Sequence, residues 1–386
     1  MLSSKPIGAA FAVAIFMSAL TVAAVRADPP KKLWERHPGS VELDMIEAVA
    51  SDLAGNVVVG GVTRGSIGKR NAGGGDALII KYSPTGTVLW RRQPGSPAGE
   101  GVNAIAIDGE GNIAAAGTTL GSLFGSHAGR QDGFVISYTA DGTVRWTQQF
   151  GAASHDSALS AAADAAGNVL VAGTLQWSAV LVKYDQSGIE LWRRLMGNGS
   201  AAATAVAVAP SGSIIVAGET MGSFGGPNQG LSDAFVAAYS PEGERQWVRQ
   251  FGTAGGNAVN GIAVAADGTI YAVGTDQNVA GFLAAFSPAG LMQWKVAIGR
   301  LYRDEGGQIG IDAAGNVVVT GIKALLPFVG SYTATGTPRW ARTLPTNYNY
   351  SPALALDPGG NVLVAGTYDV PEARGLLDGY LVKFAE

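Results

Sequence analysis

Seven positions recur at one register in this chain: Asp44, Glu100, Asp156, Ala201, Asn257, Asp304 and Asn349. Each stands eleven residues before a glycine that closes a short turn and opens an apolar run: Gly55, Gly111, Gly167, Gly212, Gly268, Gly315 and Gly360. Four of the seven are acids and two are amides. Carboxylates gathered around one axis raise one another's pKa, and a basic group or a cation relieves the repulsion. The same residues can instead cap the backbone of their own loops.

Other chemistry-bearing residues are sparse. His37, His127 and His155 lie in different parts of the chain, without metal-ligand spacing, and no G-x-S-x-G elbow is present. The adjacent His155 and Asp156 are the one pair that suggests acid–base work. Asp76, Asp132, Asp233 and Asp378 each close a glycine-containing loop. Oxygen-rich loops can take Ca²⁺, but the alternating ligand series of a calcium loop is missing, so capping is the competing reading. The expectation is no required cofactor, with Ca²⁺ the one ion to test. Trp177 stands off the register of the other tryptophans. It reads as an exposed stacking platform for a sugar or peptide, or as a plug over an apolar rim.

The elements that must position these residues are repeats. Tryptophan recurs at 34, 90, 146, 192, 247, 294 and 340, in step with the seven turn glycines. Each unit reads as four short strands. In the second unit these are Ala104–Ile107, Asn112–Thr118, Gly133–Tyr138 and Val144–Phe150, joined by turns at Asp108–Gly111 and Ala140–Gly142. Units of this length with four strands are propeller blades. The last unit stops after three strands, and Lys32–Arg36 ahead of the first unit supplies the missing one. The expected fold is all-β: a seven-bladed β-propeller whose N-terminal strand completes the C-terminal blade. A second glycine recurs within the second strand, from Gly61 to Gly366, and reads as close packing of one blade on the next. The tryptophans read as buried plates between blades.

The units resemble the SBBP-type β-propeller repeats of bacterial exported proteins. The resemblance rests on Asp132-Gly133-Phe134-Val135 with Tyr138, on Asp233-Ala234-Phe235-Val236 with Tyr239, and on the Gly-Asn starts. It rests also on the endings Trp146 with Gln149-Phe150-Gly151 and Trp247 with Gln250-Phe251-Gly252. It implies a structural repeat module and assigns no activity.

Composition narrows the function. The 386 residues include 56 Gly and no Cys, which excludes disulfides, thiolate metal sites and a cysteine nucleophile. A formal charge of −4 lacks the basic footprint of a nucleic-acid binder. Lys5, the apolar run from Ile7 to Val25 and the small residue Ala27 read as a signal peptide over residues 1–27. Residues 28–386 then form one exported propeller domain, periplasmic, secreted or at the cell surface, with no later membrane span. The long connections, Arg64–Gly75, Thr119–Gln131, Thr220–Ser232 and Tyr368–Leu377, all fall on one face. The expected function is a monomeric, non-enzymatic binding module for a protein, peptide or glycan. It would use that face and a channel-mouth ring of Asp44, Glu100, Asp156, Asn257, Asp304 and Asn349. The alternative is a lyase or hydrolase acting at the channel mouth with a bound cation.

Overall fold

The computed structural model describes residues 29–197, 199–277, 280–299, 307–323, 326–345, 352–369 and 377–385. The regular structure among them is entirely β, in seven four-stranded antiparallel sheets. Blade 1 runs Asp44–Ser51, Val57–Thr63, Asp76–Tyr82 and Val88–Arg92. Blade 2 runs Glu100–Ile107, Ile113–Thr119, Asp132–Tyr138 and Val144–Phe150. Blade 7 takes Ala353–Leu356, Val362–Asp369 and Leu377–Phe384 from the end of the chain and Lys32–Arg36 from its beginning. Trp34 pairs with Lys383 and Arg36 with Leu381, so the expected three-plus-one closure is present and the ring has no open seam.

The first strand of each blade is innermost. Each packs beside the next, and Ala353–Leu356 of blade 7 packs beside Asp44–Ser51 of blade 1. The core is divided among the blade interfaces. Val58 and Ile79 of blade 1, for example, meet Ile113, Phe134 and Ile136 of blade 2. The second and third strands are covered on both faces and therefore read as continuous apolar runs, such as Val57-Val58-Val59. The outer strand Val88–Arg92 is covered on one face and alternates.

The seven turn glycines all adopt positive φ, Gly55 at +77° and Gly111 at +81° among them, a conformation glycine takes without steric cost. The aspartate three residues earlier organises the turn. Asp52 Oδ1 accepts the N–H groups of Ala54 and Asn56 at 3.0 and 2.9 Å.

Two expectations need correction. The second-strand glycines serve their own blade, not the neighbour. A Cβ on Gly61 would stand 1.9 Å from Met45 O, and one on Gly173 1.9 Å from Ser157 O. The cause is a bulge in the inner strand, which pushes its backbone into the space a side chain would fill. The tryptophans, apart from Trp146 and Trp340, are half-buried. They lie at the outer edge as latches to the following blade. Trp90 Nε1 donates to Ala140 O and Trp192 Nε1 to Pro241 O, both at 3.1 Å. The acceptors belong to the turn between third and outer strands of the next blade. Trp146 lies against the left-handed turn glycine Gly188, where a Cβ would meet the ring at 2.7 Å.

Basic side chains reinforce this latch. Arg92 stacks over Trp90 and donates to Gly142 O at 2.6 Å. Lys183 pairs with the turn carboxylate of Asp164 at 2.9 Å and donates to Pro241 O at 3.1 Å, the carbonyl that Trp192 also uses.

Candidate functional site

On the opposite face a second latch joins the blades. In blades 2 to 5 the residue at the recurring register donates its N–H to the residue that precedes the third strand of the blade before. Glu100 N reaches Gly75 O at 2.8 Å, Asp156 N reaches Gln131 O at 2.9 Å, and Asn257 N reaches Ser232 O at 2.9 Å. The inner strands of blades 1, 2, 4 and 5 begin at the recurring register itself, four residues earlier in blade 2 than the apolar pattern suggests.

Among the ring candidates, Asp44, Glu100, Asp156 and Asn257 are described, and all are buried. Asp304 and Asn349 lie outside the described residues. Each described member is bonded to its own loop. Asp44 Oδ2 accepts Ser40 N at 2.5 Å and Ser40 Oγ at 2.8 Å. Glu100 accepts Ser96 N, Ser96 Oγ and Thr119 Oγ1. Asp156 accepts Ala152 N at 2.5 Å, Ser154 Oγ at 2.6 Å and Gln176 N at 2.8 Å. Asn257 Nδ2 donates to Gly255 O at 3.0 Å. These groups fix the loops of one face at the blade seams.

The loop aspartates work beside them. Asp132 Oδ2 accepts Gln149 Nε2 at 2.8 Å and Ala128 N at 3.0 Å, while Gln149 Oε1 accepts Phe124 N at 2.9 Å. Asp76 with Gln93, and Asp233 with Gln250, repeat the arrangement. Two N–H donors facing one carboxylate oxygen make a loop brace. In blade 7 the tryptophan-plus-three position holds His37. His37 packs edge-on against Tyr368, whose hydroxyl reaches Asp378 at 3.4 Å. Burial pushes the Asp378 carboxyl up, and the nearby Asp44 adds to the rise.

Blade 3 breaks the pattern. Its second and third strands, Val169–Leu175 and Ser178–Tyr184, are joined by Gln176 and Trp177 alone. Both adopt positive φ, +53° and +65°, as a two-residue hairpin of this twist requires, and neither is glycine or asparagine. Left-handed backbone costs an ordinary residue about 1–2 kcal/mol. The neighbours hold it: Gln176 N is bound by Asp156, and Trp177 O accepts Ala201 N at 2.9 Å. That second bond is the loop-face latch, so Trp177 occupies the position of Gly75, Gln131 and Ser232.

Because the long loop is missing, the Trp177 side chain stands in a notch between the loops of blades 2 and 4, 61% exposed. His155 lies edge-on to it, with centroids 6.5 Å apart. Two grooves flank the indole. One, of about 240 Å³, is lined by His155, Ser200, Glu219 and Met221. The other, of about 390 Å³, is lined by Arg130, Ser154 and Gln176. His155 and Asp156 do not act as a pair here, since the carboxylate is bound into its loop and the imidazole faces the indole.

One group escaped sequence reasoning. Bulge residues of the inner strands of blades 1 to 4 line the central channel, and in blade 1 that residue is Glu47. A charged residue inside the run Met45-Ile46-Glu47-Ala48-Val49 was its only signal.

The family model described as outer membrane protein assembly factor BamB matches residues 75–284. The regulatory protein FlaEY of Caulobacter vibrioides (strain ATCC 19089 / CIP 103742 / CB 15) is 28% identical over 178 residues, covering 39% of this chain and 18% of that protein. This chain thus matches under a fifth of that relative's length. Among solved structures, the Dos1 propeller aligns over 92% of this chain and 95% of its own at TM-score 0.55 and 11% identity. A europium-containing methanol dehydrogenase aligns over 92% and 93% at TM-score 0.50 and 10% identity. At such identities the likeness is one of fold. The matching family agrees with the repeat resemblance at the level of β-propeller repeats.

Proposed function

Because this chain belongs to the family described as outer membrane protein assembly factor BamB, we propose that it is an exported binding module that takes a protein partner on its long-loop face. The observation that carries the reading is Trp177: an indole 61% exposed, on two consecutive left-handed residues, in a blade whose second-to-third-strand loop is cut to a two-residue turn. Strain retained in a ring of otherwise regular blades points to a role for the side chain it presents.

The partner's contact is an extended segment with an aromatic or apolar residue. Trp177 and Met221 offer a flat and a deformable apolar surface, and Arg130 stands at the rim of the other groove. An aromatic anchor with a charged rim is the usual build of a binding hot spot. The family's description as an assembly factor supports a protein partner and an exported location, and residues 1–27 supply the export signal in this reading. The acids of the channel-mouth ring hold the loops of that face in place.

A peptide array and a glycan array, each probed with the purified chain and with Trp177→Ala, test the proposal. Apolar-aromatic peptides bound by the wild type and lost in the variant are expected. Peptide binding that the variant retains removes Trp177 as the anchor, and binding confined to glycans removes the protein partner.

A further inference from the structure

The central channel presents a second site, remote from the Trp177 notch. Its described wall encloses about 180 Å³ at the level of the inner-strand bulges. Four bulge residues line it, Glu47, Asn103, Leu159 and Thr204, while the fifth described bulge residue, Asn260, is buried. At three of these a donor is engaged with the wall. Asn103 Nδ2 donates to Ala158 O at 2.9 Å, Thr204 Oγ1 to Val259 O at 2.5 Å, and Asn260 Nδ2 to Thr275 Oγ1 at 3.1 Å. Ala158 and Val259 each precede the bulge of the next blade, so these bonds run around the ring. What remains for the lumen is acceptor capacity at Thr204, and at Asn103 the amide oxygen with one N–H.

Glu47 occupies the same register and has no donor to give when ionised. Water reaches its side chain, which counts as exposed, but the blades surround it and withdraw it from bulk solvent. Burial raises its carboxyl above the ordinary range. No hydrogen bond or ion pair meets it among the described residues. It is also the one titratable group on the described channel wall, where Ser160 and Gln308 add neutral polar groups.

We infer that the channel binds a primary alkylammonium group, with the nitrogen on Glu47 and the alkyl stem against Ile105, Leu159 and Ile262. The charge count decides against a divalent ion. Calcium takes six to eight oxygens and draws its affinity from several carboxylates, and this wall offers one. An ammonium needs three acceptors, which Glu47, Asn103 and Thr204 provide in type. The ligand is a small free amine or the lysine side chain of a partner.

The test is a melting-temperature titration of the full chain with n-butylammonium chloride, against sodium chloride and n-butanol. A saturable rise is expected with the amine alone, unchanged in Trp177→Ala and weakened at least tenfold in Glu47→Gln. Nα-acetyl-lysine methylamide, added in parallel, separates the sources. A matching rise assigns a lysine side chain, and a rise with butylammonium alone assigns a free amine. A second measurement does not depend on the variant: wild-type affinity must fall as Glu47 is protonated on acidification. No rise with either amine, equal affinity in Glu47→Gln, no loss on acidification, or a rise with calcium chloride in place of the amines overturns the assignment.

Discussion

Asp156 Oδ1 accepts the N–H of Gln176 at 2.8 Å, and so the carboxylate at a blade seam holds the left-handed turn that presents Trp177. One residue, found through its register, thereby supports another, found through its isolation. The recurring register and the off-register tryptophan meet at this bond. It links the loop scaffold to the side chain proposed to bind.

Asp156→Ala therefore has two expected effects. Ala152 N, Ser154 Oγ and Gln176 N all lose their acceptor, and bonds to a charged group contribute about 1.5–3 kcal/mol each at most. Urea unfolding is expected to show a loss of about 3 kcal/mol. Peptide binding at the notch should weaken as well, because the turn is freed. Full binding at reduced stability would disconnect the two residues.

Trp177→Gly separates strain from recognition. Glycine at +65° releases about 1 kcal/mol of backbone strain, and the indole it removes is mostly exposed. The midpoint of unfolding is expected to hold or rise while peptide binding disappears. A large loss of stability would make Trp177 a structural plug.

The outer latch is tested at Gly188, which has φ +83° and would place a Cβ 2.7 Å from the Trp146 ring. Gly188→Ala is expected to cost about 2 kcal/mol or more from combined strain and displaced packing. Gly109→Ala is the control, since a Cβ there meets nothing within 4 Å and the backbone is not left-handed. Equal stabilities for the two variants would discount the latch.

Glu47 gives a pH signature. Its folded carboxyl is raised by burial, so ionising it costs stability as pH rises through that raised value, and nothing below the ordinary one. Glu47→Gln should therefore melt above the wild type at neutral pH, with the gap closing on acidification. A gap that is constant with pH would show that desolvation is not the cause.

Asp164 runs in the opposite sense. Burial alone would raise it, but Asn168 and the ion pair with Lys183 outweigh that and hold its carboxyl below the usual range. Its contribution is full above the ordinary carboxyl value and vanishes as pH falls through the lowered one. Lys183→Met leaves Asp164 buried without its cation, so it should lose most stability near neutrality and least in acid. Melting curves across about pH 7 to pH 3 read the difference.

The sequence by itself determined the architecture. Turn glycines at positive φ and a tryptophan per unit are local requirements repeated seven times, with an aspartate three residues before the glycine in five of them, and local requirements are written in residue type and spacing. The closure of Lys32–Arg36 onto Leu377–Phe384 followed from counting strands. Contacts between elements were beyond that reading. Which backbone Gly61 approaches depends on a bulge in its partner strand, and bulges follow from pairing. That the tryptophans are latches depends on where the next blade's turn carbonyl lies. The ring register was visible, but only packing decided that Asp44, Glu100 and Asp156 each accept a backbone N–H from the loop ahead of their own strand. Glu47 looked like one charge in an apolar strand, and it became a channel group because the ring turns that face of the strand toward the axis. Trp177 was legible as an outlier, while the notch around it exists because the two neighbouring blades keep loops that blade 3 lacks.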